Sequence, residues 1–367
     1  MQTFFQSKGN SYTLRFGAAL FVLLAAQAHA SDLTGLGAAS GYNAFIFSNF
    51  TESGTDSEGR IAVGGNFAPA NGGFTVASHY GSDQAGTFDL VVGGNYTNQY
   101  NTVAGGDIFV GGNMNWTDPT LSHNAYVDGN VTNSSYGSVG GKIYYGGNYS
   151  SVGTLNNQKM ATPMASPLDF LSIQTSIDAL SANLAQQASN TTIQVAYNTY
   201  TMTGASPALN VFNLTDSNFN GSTINLSAPA GSTVIVNVAG QSASFNGGSI
   251  NFSGVSASNV IFNFATAKSV NMASFGFNGT LLAPLATFNG TYGQINGELI
   301  ANNANGTTEL HDVAFTGNLT QFATGSTLQT SNSQIAATPE PSTWMLALSA
   351  GLALTASARR RRSQPNC

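Results

Sequence analysis

The residues able to do chemistry are few, and they fall in two groupings. Glu52, Asp56 and Glu58 cluster in one loop, and Glu309, His311 and Asp312 lie together late in the chain. Oxygen-rich sets of this kind suit a hard cation such as calcium. Neither grouping has a recognisable calcium-loop spacing, so both read first as solvated acidic loops. Glu52, Asp56 and Glu58 stand as weak metal candidates, calcium is the one cofactor worth naming, and no other is implied. His79, His123 and His311 share no sequence neighbours, and the one cysteine, Cys367, is the last residue. No G-x-S-x-G, H-E-x-x-H or phosphate-cradling loop occurs in the body, so no catalytic residue is assigned and the chain reads as a non-enzyme.

These side chains are set in a repeated phrase. It runs Val63-Gly64-Gly65-Asn66, Val92-Gly93-Gly94-Asn95, Val110-Gly111-Gly112-Asn113, Val127-Asp128-Gly129-Asn130 and Tyr145-Gly146-Gly147-Asn148. The asparagines are 29, 18, 17 and 18 residues apart, a nearly fixed period after one longer interval, which is the mark of stacked coils. Before each phrase stands a short run of β-formers, such as Ile61-Ala62-Val63 or Ile108-Phe109-Val110, too short for a helix. The pairs Gly65-Asn66, Gly94-Asn95, Gly112-Asn113, Gly129-Asn130 and Gly147-Asn148 therefore read as structural corners, taken by the residues that tolerate positive φ. A coil of this length cannot bury its apolar face alone. Coils stacked at ~4.8 Å share one core and satisfy each other's backbone. The fold predicted is all-β, a right-handed parallel β-solenoid from about Tyr42 to Leu319, right-handed because parallel crossovers are.

One stretch departs from this. Ser166 as N-cap, Pro167 at the first position and the spacing of Phe170, Ile173, Ile177, Leu180 and Leu184 predict a flanking amphipathic helix over 166–188, packed on the solenoid. After it, alternating strands resume, among them Val211 to Leu214, Ile224 to Leu226, Val234 to Val238, Ile250 to Phe252, Val260 to Phe264 and Gly279 to Ala283.

The two ends carry their own signals. Lys8 and Arg15, the apolar run from Phe16 to Ala26 and the small residues Ala28 and Ala30 of an A-x-A site predict a signal peptide over 1–30. At the other end, Pro339-Glu340-Pro341 leads into a largely apolar fifteen-residue run from Trp344 to Ala358, and then Arg359, Arg360, Arg361 and Arg362. The run is short against the ~20 residues a spanning helix needs. The arginines would keep the extreme C-terminus in the cytoplasm and the body outside, with the hydrophobic helix as a membrane anchor before any processing. Between the ends, from Ser31 to Thr338, four basic residues (Arg60, Lys142, Lys159, Lys268) stand against fifteen acidic ones, a balance of −11 that the whole-chain value of −6 conceals. Nucleic-acid binding, which depends on neutralising phosphate, is excluded. With 7% charged residues, the surface must be built from Asn, Ser, Thr and Gly. The domains expected are 1–30 signal peptide, 31–320 solenoid body, 321–337 Ser/Thr-rich stalk, 338–362 sorting and anchor segment and 363–367 cytoplasmic tail.

The tripartite tail resembles the PEP-CTERM sorting signal, which implies an exosortase as processing partner and a Gram-negative, exopolysaccharide-producing bacterium. Gly41-Tyr42-Asn43-Ala44-Phe45-Ile46, followed by Glu58-Gly59-Arg60-Ile61-Ala62-Val63-Gly64-Gly65-Asn66, resembles the signature of the choice-of-anchor A domain, an adhesin-like bacterial surface module. The run from Asn259 to Ala301 is similar to coils of ice-binding-type solenoids that carry a flanking helix. Together these imply an exported protein of the cell surface or extracellular matrix, adhesive or structural, associated with exopolysaccharide or biofilm. Two other functions are open: a polysaccharide-degrading β-helix enzyme, for which the carboxylates are few, and ice binding, for which Thr199, Thr201 and Thr203 alternate in one coil only.

Overall fold

In the computed structural model, residues 34–52, 54–69, 73–80, 84–100 and 102–323 are described. The signal peptide, most of the stalk and the sorting segment expected above lie outside them. The protein is mostly β, with one α-helix, and its strands pair almost entirely in parallel to give a β-helix-like stack. Strand Ala44–Ile46 pairs with Ile61–Val63, which pairs with Gln84–Val92. The ladder then continues through Gly106–Val110, Ala125–Val127, Ile143–Tyr145 and Asn157–Lys159. Two further ladders form the other walls of these coils, one from Thr55–Ser57 to Ser138–Val139 and one from Tyr96–Gln99 to Tyr149–Ser151. Alternate residues such as Ile61, Val63, Leu90, Val92, Ile108 and Val110 point inward to one continuous core.

The order of coils in space differs from their order in sequence. Having spiralled outward to Lys159, the chain returns along the outside as helix α1 (Phe170–Ala185) and starts again at the far end with the hairpin Thr192–Ala196 and Thr199–Thr203. From there parallel strands step back through Thr223–Ser227, Ser242–Ser253, Ser269–Asn278, Thr280–Asn296 and Leu299–His311. Leu299–His311 then pairs with the first strand, Ala44 opposite Leu299 and Ile46 opposite Ala301. Two arms thus meet in the middle of the stack, and the first and last coils of the body are neighbours although about 254 residues separate the hydrogen-bonded side chains Ser48 and Asn302.

Helix α1 explains why the wall it covers is apolar on both sides. Ile177, Leu180 and Leu184 pack on outward-facing Phe45, Ala62, Val91, Val211, Ile235, Ile261 and Ile300, drawn from both arms. Carbonyls of the helix and of the residues just after it are taken up by an asparagine row: Asn263 donates to Ser181 O (2.9 Å), Asn237 to Leu184 O (2.8 Å) and, past the C-cap, Asn213 to Gln187 O (3.0 Å). The helix is shorter than the 166–188 expected. Asp169 is the N-cap, accepting from Ser172 N (3.1 Å), whereas the Ser166 hydroxyl closes a local turn with the backbone of Leu168.

The corner glycines also need correction. Among the described residues, none of Gly65, Gly94, Gly112, Gly129, Gly147 or their asparagines has positive φ. Close stacking demands the glycine instead. A Cβ on Gly112 would lie 2.7 Å from both Gly94 O and Asn95 Oδ1, and one on Gly94 would lie 2.6 Å from Gly65 O.

Candidate functional site

The corners form an exposed amide ladder. Asn66 N donates to Asn49 Oδ1 (3.0 Å), Asn95 N to Asn66 Oδ1 (2.9 Å), Asn113 N to Asn95 Oδ1 (2.9 Å), Asn130 N to Asn113 Oδ1 (2.9 Å) and Asn148 N to Asn130 Oδ1 (2.8 Å). Each side-chain oxygen thus completes the backbone of the next coil, and the NH2 groups of Asn66, Asn95 and Asn113 also donate to the Oδ1 of the preceding rung, at 3.2 Å each. Asn49 is a rung that the repeat hid, because Phe47-Ser48 stands where the other coils have two glycines or Asp-Gly. Its own N–H donates to Asn303 Oδ1 (3.1 Å), carrying the row across the junction into the second arm. Beside it, Thr51 donates to Asn305 (2.5 Å) and Asn305 to Asn289 (3.1 Å). An uncharged groove follows this line, with Asn49, Thr51, Asn66, Ala68, Thr287, Asn303 and Asn305 in its walls.

A second polar surface lies on the second arm. In-register strands present Thr201, Asn225 and Asn251 in one exposed row and Thr203, Ser227 and Ser253 in the next. Inward-facing Tyr200, Met202, Ile224, Leu226 and Ile250 alternate with them and hold the strands in place. Asn251 Nδ2 donates to Asn225 Oδ1 (3.0 Å). Thr199 lies opposite Thr223 and Thr203 opposite Thr192, but the next strands continue with asparagine and serine, so no threonine row runs on through the coils.

The charged residues behave differently. Arg60 Nε donates to Asp89 Oδ1 (3.0 Å), and its guanidinium lies 4.9 Å from the centre of the Tyr80 ring. The Tyr80 hydroxyl donates to Asp312 Oδ2 (2.7 Å), Asp312 N donates to Glu58 Oε2 (2.9 Å), and Glu58 Oε1 lies 3.0 Å from His79 Nε2. This group ties the two arms together. Burial pushes the Asp89 carboxyl up in spite of its hydrogen bonds from Gly106 N and Arg60, and burial with the Asp312 contact pushes Tyr80 up to about 12. Asn43 sits at the same junction, buried, donating to Gly297 O (3.0 Å) and His311 O (2.9 Å) and accepting from Ser57 Oγ (2.9 Å) and Gly59 N (3.3 Å).

The two groupings of the sequence are thus partly merged and partly dispersed. Glu58 and Asp312 come together, Glu309 lies 3.3 Å from His311, and Asp56 accepts from Ser78 Oγ (2.6 Å). Glu52 is fully buried, neither carboxylate oxygen has a hydrogen-bond partner, and burial holds its pKa well above the usual range. Among the described residues, no three His, Cys, Asp or Glu side chains gather where they could hold a metal ion. The Arg60–Asp89 pair and Asn43 were missed by the repeat analysis, although a signal was present. Asn43, Arg60, Asp89, Asp107, Asn124 and Lys142 each stand just before an apolar strand, and Asn124 N donates to Asp107 Oδ1 (2.9 Å) as Lys142 N does to Asn124 Oδ1 (2.9 Å).

Residues 35–125 and 115–312 match the model of the family described as "Putative Ice-binding-like adhesive domain". The chain belongs to this family. Residues 337–362 match the PEP-CTERM protein-sorting motif, which implies processing by an exosortase and export to the cell-envelope surface. No curated protein matches the chain. Among solved structures, an ice binding protein from an Antarctic bacterium Flavobacteriaceae is similar at 12% identity and a TM-score of 0.28, covering 76% of this chain and 98% of that one, a likeness too slight to argue from. No helix among the described residues is long and apolar enough to cross a membrane.

Proposed function

We propose that the body is a non-catalytic, surface-displayed adhesive module that holds a repetitive polar polymer, with extracellular polysaccharide as the partner. The observation that carries this is the in-register, uncharged amide and hydroxyl surface: the Asn49 to Asn148 ladder and the Thr201, Asn225, Asn251 rows. Identical groups at strand spacing allow weak contacts to add along a polymer through effective concentration. Retention in an exopolysaccharide matrix or biofilm is the setting, the choice-of-anchor A likeness at Gly41 to Ile46 and Glu58 to Asn66 points the same way, and the coil is taken as right-handed on the chirality of parallel crossovers. The domain limits keep their sequence values, 1–30, 31–320, 321–337, 338–362 and 363–367. Cleavage falls after Ala30 and near Pro339-Glu340-Pro341, which intact-mass measurement of the mature protein tests.

Binding of residues 31–338 to the producer's exopolysaccharide tests the partner, with saturable, salt-insensitive retention expected. No retention, or release of shortened sugar chains, would count against it. A second reading, ice binding, is favoured by the flat Thr, Ser and Asn rows of 199–203, 223–227 and 249–253, and thermal hysteresis decides it.

A further inference from the structure

Tyr126 and Tyr144 occupy opposite positions of the parallel strands Ala125–Val127 and Ile143–Tyr145. Their rings are stacked with centroids 4.9 Å apart and planes within 6° of parallel. Both are half-buried on the outer side of the wall, in the row that continues from Phe109. Phe88 meets Tyr126 edge-on at 5.8 Å, and the Lys142 ammonium lies 5.7 Å from the Tyr144 ring centre, so neighbours on both sides hold the pair in place. Because the strands are parallel and in register, the two phenol rings are kept stacked one over the other.

We propose that Tyr126 and Tyr144 form an oxidative cross-linking site, coupled to dityrosine by a haem peroxidase using hydrogen peroxide. Each phenol gives up one electron and one proton to become a phenoxyl radical. The two radicals join through their ortho carbons, and the two hydrogens on those carbons move as protons to the phenolic oxygens, restoring both rings. Two electrons and two protons have left the protein, and they reduce one peroxide to two waters. The new C–C bond fastens the coil at 125–127 to the coil at 143–145, near the end of the first arm, where Asn157–Lys159 is exposed. The other described tyrosine pair, Tyr145 and Tyr149, is tilted by 34° and packs against the core. Exposed Tyr100, Tyr136, Tyr197 and Tyr292 have no stacked tyrosine within the described molecule, so they offer coupling between molecules instead.

The test treats the dilute full chain with hydrogen peroxide and a haem peroxidase, isolates the monomer and maps its peptides. A peptide joining residues 126 and 144, lighter by two hydrogens and with dityrosine fluorescence, is expected. It should vanish in Tyr126→Phe and in Tyr144→Phe, each of which keeps the stacked ring, and persist in Tyr136→Phe. A wild-type monomer without this linkage while Tyr136 or Tyr197 is consumed would overturn the proposal, as would intramolecular fluorescence undiminished in Tyr144→Phe.

Discussion

Replacing Asn43 by leucine keeps the volume of the side chain and deletes four hydrogen bonds at the place where the arms meet. Ser57 Oγ retains an alternative acceptor in Gly59 O at 3.0 Å, so three hydrogen bonds go unreplaced: those of the buried Gly297 carbonyl and Gly59 N–H, and that of the part-buried His311 carbonyl, which still accepts from Val313 N at 2.9 Å. At about 1 kcal/mol each, and more where a group is left wholly unpaired, the loss is about 3 kcal/mol. A cooperative fold has about 5–15 kcal/mol in total, so this is a large fraction. In urea titration the midpoint should fall with little change in slope, and amide exchange should rise together at 44–46 and 299–301, strands distant in sequence and paired in space. Asn148→Ala, at the exposed last rung, should cost under ~0.5 kcal/mol. A loss below ~1 kcal/mol for Asn43→Leu, or exchange that rises in one arm only, would refute the view that this amide joins the arms.

Two further outcomes follow from corners and burial. Gly112→Val should lower stability by ~1–3 kcal/mol, because its Cβ meets backbone and amide of the coil beneath at 2.7 Å, and an unchanged melting temperature would count against close stacking as the cause. Burial raises the Glu52 pKa above the unfolded value of 4.5, so folding takes up a proton, and stability is greatest below that value and declines as pH rises toward the folded pKa. Glu52→Gln should abolish that part of the pH slope in thermal melts, and identical slopes for the two proteins would refute it.

Much of this architecture was legible because stacking is local in its chemistry. The 17- and 18-residue steps of Asn95, Asn113, Asn130 and Asn148 report the coil length directly, and Ile177, Leu180 and Leu184 report a helix with one buried stripe. The meeting of the arms was not legible, since nothing in Ala44–Ile46 says that Leu299–His311 lies beside it. That pairing follows from α1 carrying the chain back to the far end. The reason for the corner glycines was also hidden: sequence shows that glycine is there, whereas only packing distinguishes a left-handed turn from a neighbour 2.7 Å away. Asn49 escaped because the ladder needs only its amide, and the flanking glycines that mark the other rungs are replaced by Phe47-Ser48. Of the acidic residues, spacing suggested loops, and folding made one of them, Glu52, a core residue and two others, Glu58 and Asp312, part of the junction.

The adhesion proposed for this protein is distributed along a repeated surface. The most direct measurement is attachment of cells displaying variants that lack whole coils of the first arm, one with residues 114–130 removed and one with 96–130 removed, each joining equivalent corners so that stacking register is kept. Retention on the exopolysaccharide matrix should fall in steps with each coil lost, while Glu298→Gln and Asp312→Asn variants that remain folded should attach as the wild type does. Full attachment after both deletions, or abrupt loss on changing one carboxylate in a folded variant, would contradict it.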